Sequence, residues 1–226
     1  MDERSFRKYW SHKTDSDHVA RPGFDVFTIA AAEIQAFLGR GARSRVLEIG
    51  CGAGEVFEHL ELDRRSYLGV DFSDRILHTF LERHPGVRVL HGDATTFSVP
   101  EQFDFVIVNN VVQYCRPWMT LACLHNLKPM LAPGGKIFLG NVPNRSQRLA
   151  WTRGLFSGEH VSPVRWLGRL LRGLAVVALS DHDSIGFWYT PGEVTRLAAS
   201  AGFECAIFGC VLYPYRFTAI LGHRST

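Results

Sequence analysis

The stretch Arg45-Val46-Leu47-Glu48-Ile49-Gly50-Cys51-Gly52-Ala53-Gly54-Glu55-Val56 limits what this chain can fold into more than any other. Val46, Leu47, Ile49 and the stem of Arg45 suit a short buried strand, three glycines at alternate positions interrupt it, and a helical pattern of apolar and polar residues follows. A strand feeding a glycine-rich turn and a helix makes a nucleotide cradle. Glycine lets the backbone approach a ligand closely, and a helix N-terminus offers unpaired N–H groups. The dinucleotide fingerprint asks for glycines at its first, third and sixth positions. Gly50 and Gly52 meet the first two demands, but Glu55 stands at the sixth, which disfavours a nicotinamide oxidoreductase. The third glycine, Gly54, falls one residue early, and an acid, Glu48, stands two residues before the first.

An acid followed by x-G-x-G-x-G resembles motif I of the class I S-adenosylmethionine (SAM) dependent methyltransferases, and further signals follow in that family's order. Gly69-Val70-Asp71-Phe72-Ser73 resembles the second motif, and Gly92-Asp93-Ala94 resembles a third. Leu131-Ala132-Pro133-Gly134-Gly135-Lys136-Ile137 matches the Leu-x-Pro-Gly-Gly-x-hydrophobic signature. With the strand-like run 103–115, these signals cover about 95 residues, so the chain is identified as a member of this family, of the small-molecule type. The resemblance implies SAM as cofactor and S-adenosylhomocysteine as product.

Asp71 lies 21 residues after Gly50, at the expected carboxyl end of the second strand, where a carboxylate can accept both ribose hydroxyls. The resemblance implies that Asp93 and the backbone N–H of Ala94 read the adenine edge, and that Asn109, Asn110 and Tyr114 line the methionine end. Glu48, Gly50, Cys51, Gly52, Gly54 and Phe72 complete the expected cofactor set. Tyr9 and Trp10 either cap the cofactor or pack on the helix behind them. The sequence after the fourth strand is not of the Asn-Pro-Pro-Tyr type, which argues against nucleobase amines and glutamine side chains as acceptors.

Taken in order, the chain predicts a helix ending at Gly39 and Gly41, the first strand and its cradle, a helix through Val56, Phe57 and Leu60, a second strand, and a helix capped by Ser73 and Asp74. Val87–His91 reads as the third strand, Phe103–Val108 as a fourth covered on both faces, and Pro133-Gly134-Gly135 as the tight turn into the fifth. Thr190, Pro191 and Glu193 carry an N-cap signature for a last helix before two final strands. The expected fold is α/β, a doubly wound, seven-stranded, mostly parallel sheet with an antiparallel last strand. N-terminal helices precede it and a helical insertion follows the fifth strand. A single domain, 1–226, would divide into an N-terminal helical cap (1–44), a SAM-binding core (45–140), a helical substrate or lid insertion (141–189) and a closing part (190–226).

The insertion is where the acceptor is expected. Arg165, Arg169 and Arg172 share one helical face, and Arg145, Arg148 and Arg153 add charge to the helix before it. Such a segment serves as a packed lid, as a dock for an acidic, phosphorylated or membrane lipid-linked acceptor, or as a homodimer contact. An acceptor hydroxyl needs a base, and His160 and His182 lie in this stretch; His182 has Asp181 and Asp183 beside it to orient the ring. A carboxylic acid acceptor needs no base. No acidic cluster suggests a metal.

Five scattered cysteines with no C-x-x-C pair fit reduced thiols, and neither a signal peptide nor a membrane-length apolar run is visible, so a cytoplasmic setting is expected. A net charge of +3 is too mild to argue for nucleic acid; the arginines leave an RNA methyltransferase as an alternative, but no separate RNA-binding module is visible and nucleic acid is not expected. The expected activity is methyl transfer to a small or conjugated acceptor, most simply to oxygen in a biosynthetic O-methyltransferase. The alternatives are small-molecule N-methylation and a non-catalytic SAM-binding partner subunit.

Overall fold

The computed structural model describes residues 25–39, 44–153, 168, 180, 182–183, 185–211 and 213–224. Strands β1 (Val46–Ile49), β2 (Tyr67–Asp71), β3 (Arg88–His91), β4 (Phe103–Asn109), β5 (Leu131–Pro143), β6 (Phe203–Gly209) and β7 (Arg216–His223) form one sheet in the order β3-β2-β1-β4-β5-β7-β6. β1 to β5 pair in parallel, and β7 enters antiparallel between β5 and β6. The strand order reverses between β1 and β4, and open α/β sheets bind ligands beyond the carboxyl ends at such a switch point.

Alternation along each strand divides the core between the two faces. Leu47, Ile49, Leu68, Val70, Val106 and Val108 face helices α3 (Pro117–Met130) and α5 (Pro191–Ser200), where Leu124, Leu127, Val194 and Ala198 meet them. Val46, Tyr67, Ile107 and Phe138 face the other way, against Ile34 and Leu38 of α1 (Val26–Leu38) and Phe80 of α2 (Asp74–Arg83). Each fully buried side chain of this kind contributes roughly 1.5–3 kcal/mol, so α1 is held by its apolar stripe. Glu48 shares the parity of Val46 and is the one charged side chain within β1, whose four residues are all buried.

The helix ends follow their sequence signals. Asp25 accepts from the backbone N–H groups of Phe27 and Thr28 at the start of α1, and Gly39, with φ +77°, ends it. Ser73 caps α2, and Thr190 and Glu193 close a reciprocal capping box on α5 with Pro191 in its first turn. Two readings need correction. The helix expected through Val56, Phe57 and Leu60 is a single 3-10 turn, Phe57–His59, because burying Phe57 and Leu60 three residues apart needs no more than that. Pro133-Gly134-Gly135 is no turn ahead of the fifth strand either. It lies inside β5, where pairing with β4 jumps from Phe103–Leu131 to Phe105–Lys136 and Gly134 takes φ +75°.

Beyond β5 the chain forms a 3-10 turn, Arg145–Gln147, and the short helix α4 (Arg148–Thr152). Arg148 is 2% exposed and donates from Nε to Asp183 at 3.0 Å, with further hydrogen bonds to the carbonyls of Ser180 and His182. Arg145 is tied to Glu193 and to the Trp188 carbonyl. These two arginines therefore fasten the returning segment 180–193 to the end of β5, and are not free charge for an external partner. Arg165, Arg169 and Arg172 lie outside the described residues. Among the described residues no helix is long and apolar enough to cross a membrane.

Candidate functional site

A cavity opens beyond the carboxyl ends of β1, β2 and β4. Among its lining residues are Glu48, Gly50, Cys51, Gly52, Asp71, Phe72, Asp93, Ala94, Asn109, Asn110 and Tyr114, so eleven of the expected cofactor residues meet at one place. Gly54 is the exception. Its Cα faces away from the cavity, where an added Cβ would come within 2.6 Å of the His84 ring, and its φ of +85° suits glycine. Tyr9, Trp10 and His160 lie outside the described residues.

The cradle is built from turns and carries no helix N-terminus, since the segment after it forms only the 3-10 turn at Phe57. The N–H groups of Gly50 and Cys51 reach back to the Val70 carbonyl at 2.7 and 3.1 Å. Gly50 has φ +74°, and a Cβ there would run into Val111, so this position takes only glycine. Glu55, the residue that breaks the dinucleotide fingerprint, folds back so that Oε2 accepts from the Ala53 N–H at 3.1 Å. Its other oxygen lies 3.8 Å from Arg83.

Asp71 is held by its own loop. Oδ1 accepts from Ser73 N–H at 3.0 Å and Oδ2 from Gly52 N–H at 3.2 Å. The Phe72 N–H also acts on this carboxylate, whose acceptor positions, about four, still leave capacity for ligand hydroxyls. Burial pushes its carboxyl above the usual range, against the pull of the Ser73 and Gly52 donors. Glu48, 3% exposed, accepts from the Tyr67 hydroxyl at 2.5 Å. Burial raises its pKa to about 7 despite that hydrogen bond. Burial also pushes the Cys51 and Tyr67 groups well up, so both stay neutral. Asp93 Oδ1 accepts from the N–H and the hydroxyl of Thr95 at 2.8 and 2.6 Å.

At the far end of the cavity Asn110, with φ +57°, and Asn141, with φ +58°, end β4 and turn within β5, both in the left-handed region that asparagine tolerates. Asn141 donates to Asn109 Oδ1 at 2.9 Å. Gly140 makes room for this pair, since a Cβ there would meet Asn109 Oδ1 and the Phe138 ring.

His182 does not line the cavity. Its ring lies 5.4 Å from that of Phe187, and Nδ1 is 3.5 Å from the Ser180 hydroxyl. The orienting role expected of Asp183 is corrected: that carboxylate accepts from Arg148, from Trp188 Nε1 at 2.8 Å and from Ile185 N–H. Asp181 lies outside the described residues. Lining residues not foreseen include Val26, Phe27 and Ala30 of α1, Met119 and Tyr213. The helical spacing in 24–38 gave α1 an apolar stripe, but which turn of that stripe meets the ligand depends on how α1 docks.

Four carboxyl side chains, Glu48, Glu55, Asp71 and Asp93, line the cavity, with no lysine, arginine or histidine among the described lining residues. Such a surface suits a ligand with a positive charge and vicinal hydroxyls, and opposes the pyrophosphate of a dinucleotide. A family model described as a methyltransferase domain matches residues 46–135. A methyltransferase domain thus spans residues 46–135 of this chain. A solved structure of a DhpI–S-adenosylhomocysteine complex superposes with a TM-score of 0.62 at 16% identity, covering 97% of this chain and 96% of that one. The ubiquinone biosynthesis O-methyltransferase of Aromatoleum aromaticum is 27% identical over 193 residues, 81% of this chain and 74% of that protein. A 32% identical stretch of 159 residues also occurs in the chondramide synthase cmdD of Chondromyces crocatus, where it spans 64% of this chain but only 4% of that protein.

The residues present fit SAM as cofactor. The Gly50 backbone leaves a space that any side chain would fill, Asp71 keeps acceptor capacity for ribose hydroxyls, and the acidic lining complements a sulfonium.

Proposed function

We propose that this methyltransferase transfers the methyl group of SAM to an oxygen of a small-molecule acceptor. The observation that carries the reading is the four-carboxylate cavity at the β1–β4 switch point, which selects a cationic nucleoside. In this reading Asp71 holds the ribose hydroxyls, Asp93 and the Ala94 N–H meet the adenine edge, and Asn109, Asn110 and Tyr114 border the methionine end. SAM, when bound, supplies a methyl group made electrophilic by the sulfonium, so the chain has to align the acceptor in line and keep water out. Val26, Phe27, Ala30, Val111 and Met119 supply the apolar wall that does this. Oxygen as the accepting atom is supported by the O-methyltransferase of A. aromaticum, whose match runs over most of both chains.

The test is transfer of a labelled methyl group to panels of phenols, carboxylic acids and amines. Label in phenols or acids, with esters recognised by their release in mild base, supports the reading. Label confined to amines overturns the choice of oxygen.

Glu48 makes a second expectation measurable. A carboxyl raised to about 7 in the folded protein adds stability while it stays protonated, and that contribution is lost as pH rises through 7. A cationic ligand reverses the preference, because it pairs with the ionised form. SAM affinity should therefore rise about tenfold between pH 6 and pH 8. Calorimetric titration across that range should show this slope in the wild type and a flat profile in Glu48→Gln. A flat wild-type profile would place Glu48 out of contact with the charge.

A further inference from the structure

Arg216, the first residue of β7, stands directly behind the cavity wall formed by Asn110 and Tyr213. Its Nη1 donates to Asn110 Oδ1 at 3.2 Å, to Gln113 Oε1 and to the Asn141 carbonyl at 2.7 Å. All three acceptors are neutral. The rings of Tyr213 and Tyr215 lie over the guanidinium, with centroids 5.3 and 5.6 Å from its carbon. Among the described residues no carboxylate pairs with it, whereas Arg145 and Arg148 next to the same segment are matched with Glu193 and Asp183.

The other edge of the guanidinium is what calls for an explanation. Nε is sealed from solvent with no hydrogen-bond partner, and the side-chain hydrogen bonds Arg216 makes among the described residues all leave from Nη1. Nε and Nη2 together form the side-on fork that matches the two oxygens of a carboxylate or a phosphate. A half-buried cation facing only amides and aromatic rings carries a desolvation cost that no fixed counter-charge offsets. The neutral acceptors at Nη1 meanwhile hold the guanidinium against Asn110, a residue of the cavity wall.

We propose that Arg216 anchors an anionic group of the acceptor, a carboxylate or a phosphate, on its Nε–Nη2 edge at the Asn110–Tyr213 rim of the cavity. This rests on the reading of the cavity as the SAM site. Because the cavity itself is lined by four carboxyls, an anionic acceptor needs a cation at the rim, and Arg216 supplies it. The anchored group stays at the rim while the atom to be methylated reaches the end bordered by Asn109, Asn110 and Tyr114. Tyr213 both lines the cavity and covers the guanidinium, so an anion reaches the sealed Nε only when that ring moves aside.

The experiment is calorimetric titration with three probes of one shape: benzoate, phenyl phosphate and the neutral benzyl alcohol. Each is run on the full chain with and without saturating S-adenosylhomocysteine. At least one anion should bind the wild type with millimolar affinity and benzyl alcohol should not; which anion binds separates a carboxylate from a phosphate ligand. Arg216→Gln should weaken that anion roughly tenfold or more, and Arg216→Lys should restore part of the loss. Gln113→Glu places a carboxylate against Nη1, and should weaken the anion by a similar factor while S-adenosylhomocysteine still binds. That variant keeps the test meaningful if Arg216→Gln does not fold. Equal anion binding in wild type, Arg216→Gln and Gln113→Glu overturns the proposal, as does a wild type that binds neither anion. A wild type that binds an anion through Arg216 but not S-adenosylhomocysteine would instead overturn the cofactor reading.

Discussion

Asp71→Ala should lower the affinity for S-adenosylhomocysteine roughly 100-fold or more, measured by calorimetry at pH 7.5. Two hydroxyl donors on one ionised acceptor are worth about 1.5–3 kcal/mol each, and 100-fold corresponds to about 2.7 kcal/mol, so the lower end already suffices. Stability of the ligand-free protein should move the other way or not at all. Burial raises the Asp71 pKa, so the group adds stability while protonated, and that contribution is lost as pH rises through its folded value. At neutral pH the ionised carboxylate is therefore a cost to the empty protein, partly offset by the N–H groups of Ser73 and Gly52. A variant that melts at the wild-type temperature yet binds weakly identifies a ligand contact. A variant that loses both properties would show that the carboxylate mainly organises the loop, and unchanged affinity would remove it from the ribose site.

The second large effect concerns the Arg148–Asp183 pair. With side chains 2% and 9% exposed and 3.0 Å apart, this is a buried ion pair, and deleting one partner strands the other. Arg148→Ala should destabilise the protein by about 3–5 kcal/mol. For a chain of this size that lowers the melting temperature by roughly 10 °C. Asp183 also receives Trp188 Nε1, so Asp183→Ala leaves two buried donors without an acceptor. The double variant Arg148→Met with Asp183→Leu should recover much of the loss, since a buried pair is replaced more cheaply than it is broken. A single Arg148→Ala variant that melts within 2 °C of wild type would show that water takes over both roles, against an expectation of roughly 10 °C. The pair matters for the site because segment 180–189 is what seals the loop after β4: Phe187 N–H donates to the Gln113 carbonyl and the Tyr189 hydroxyl to that of Cys115.

Most of the frame was readable beforehand, and the misreadings have physical causes. The apolar runs in β1 and β4 and the caps at Ser73 and Thr190 are local features, so periodicity and side-chain type located them. Phe57 and Leu60 fit a helix and a 3-10 turn equally well, because a spacing of three residues is common to both. Gly54 matched the motif but serves packing against His84, a partner 30 residues away whose position no local pattern records. Arg148 looked like one more charge on a polar helix. Only the return of Asp183, 35 residues later, turns it into a buried link.

Backbone preferences and hydrophobic alternation act between near neighbours, so the amino-acid order alone specifies the strands, the left-handed glycine at position 50 and the acidic residues that follow the strand ends. Protonation and charge balance depend on what surrounds a group, and here folding brings those surroundings from far along the chain. Glu48 is pushed up to about 7 because the core encloses it, against the pull of the Tyr67 hydroxyl. Arg216 faces its amide partners, Asn110 and Gln113, across 106 and 103 residues of sequence. Desolvation is a property of the packed molecule, and that is why the cavity's chemistry became visible only once the sheet was assembled.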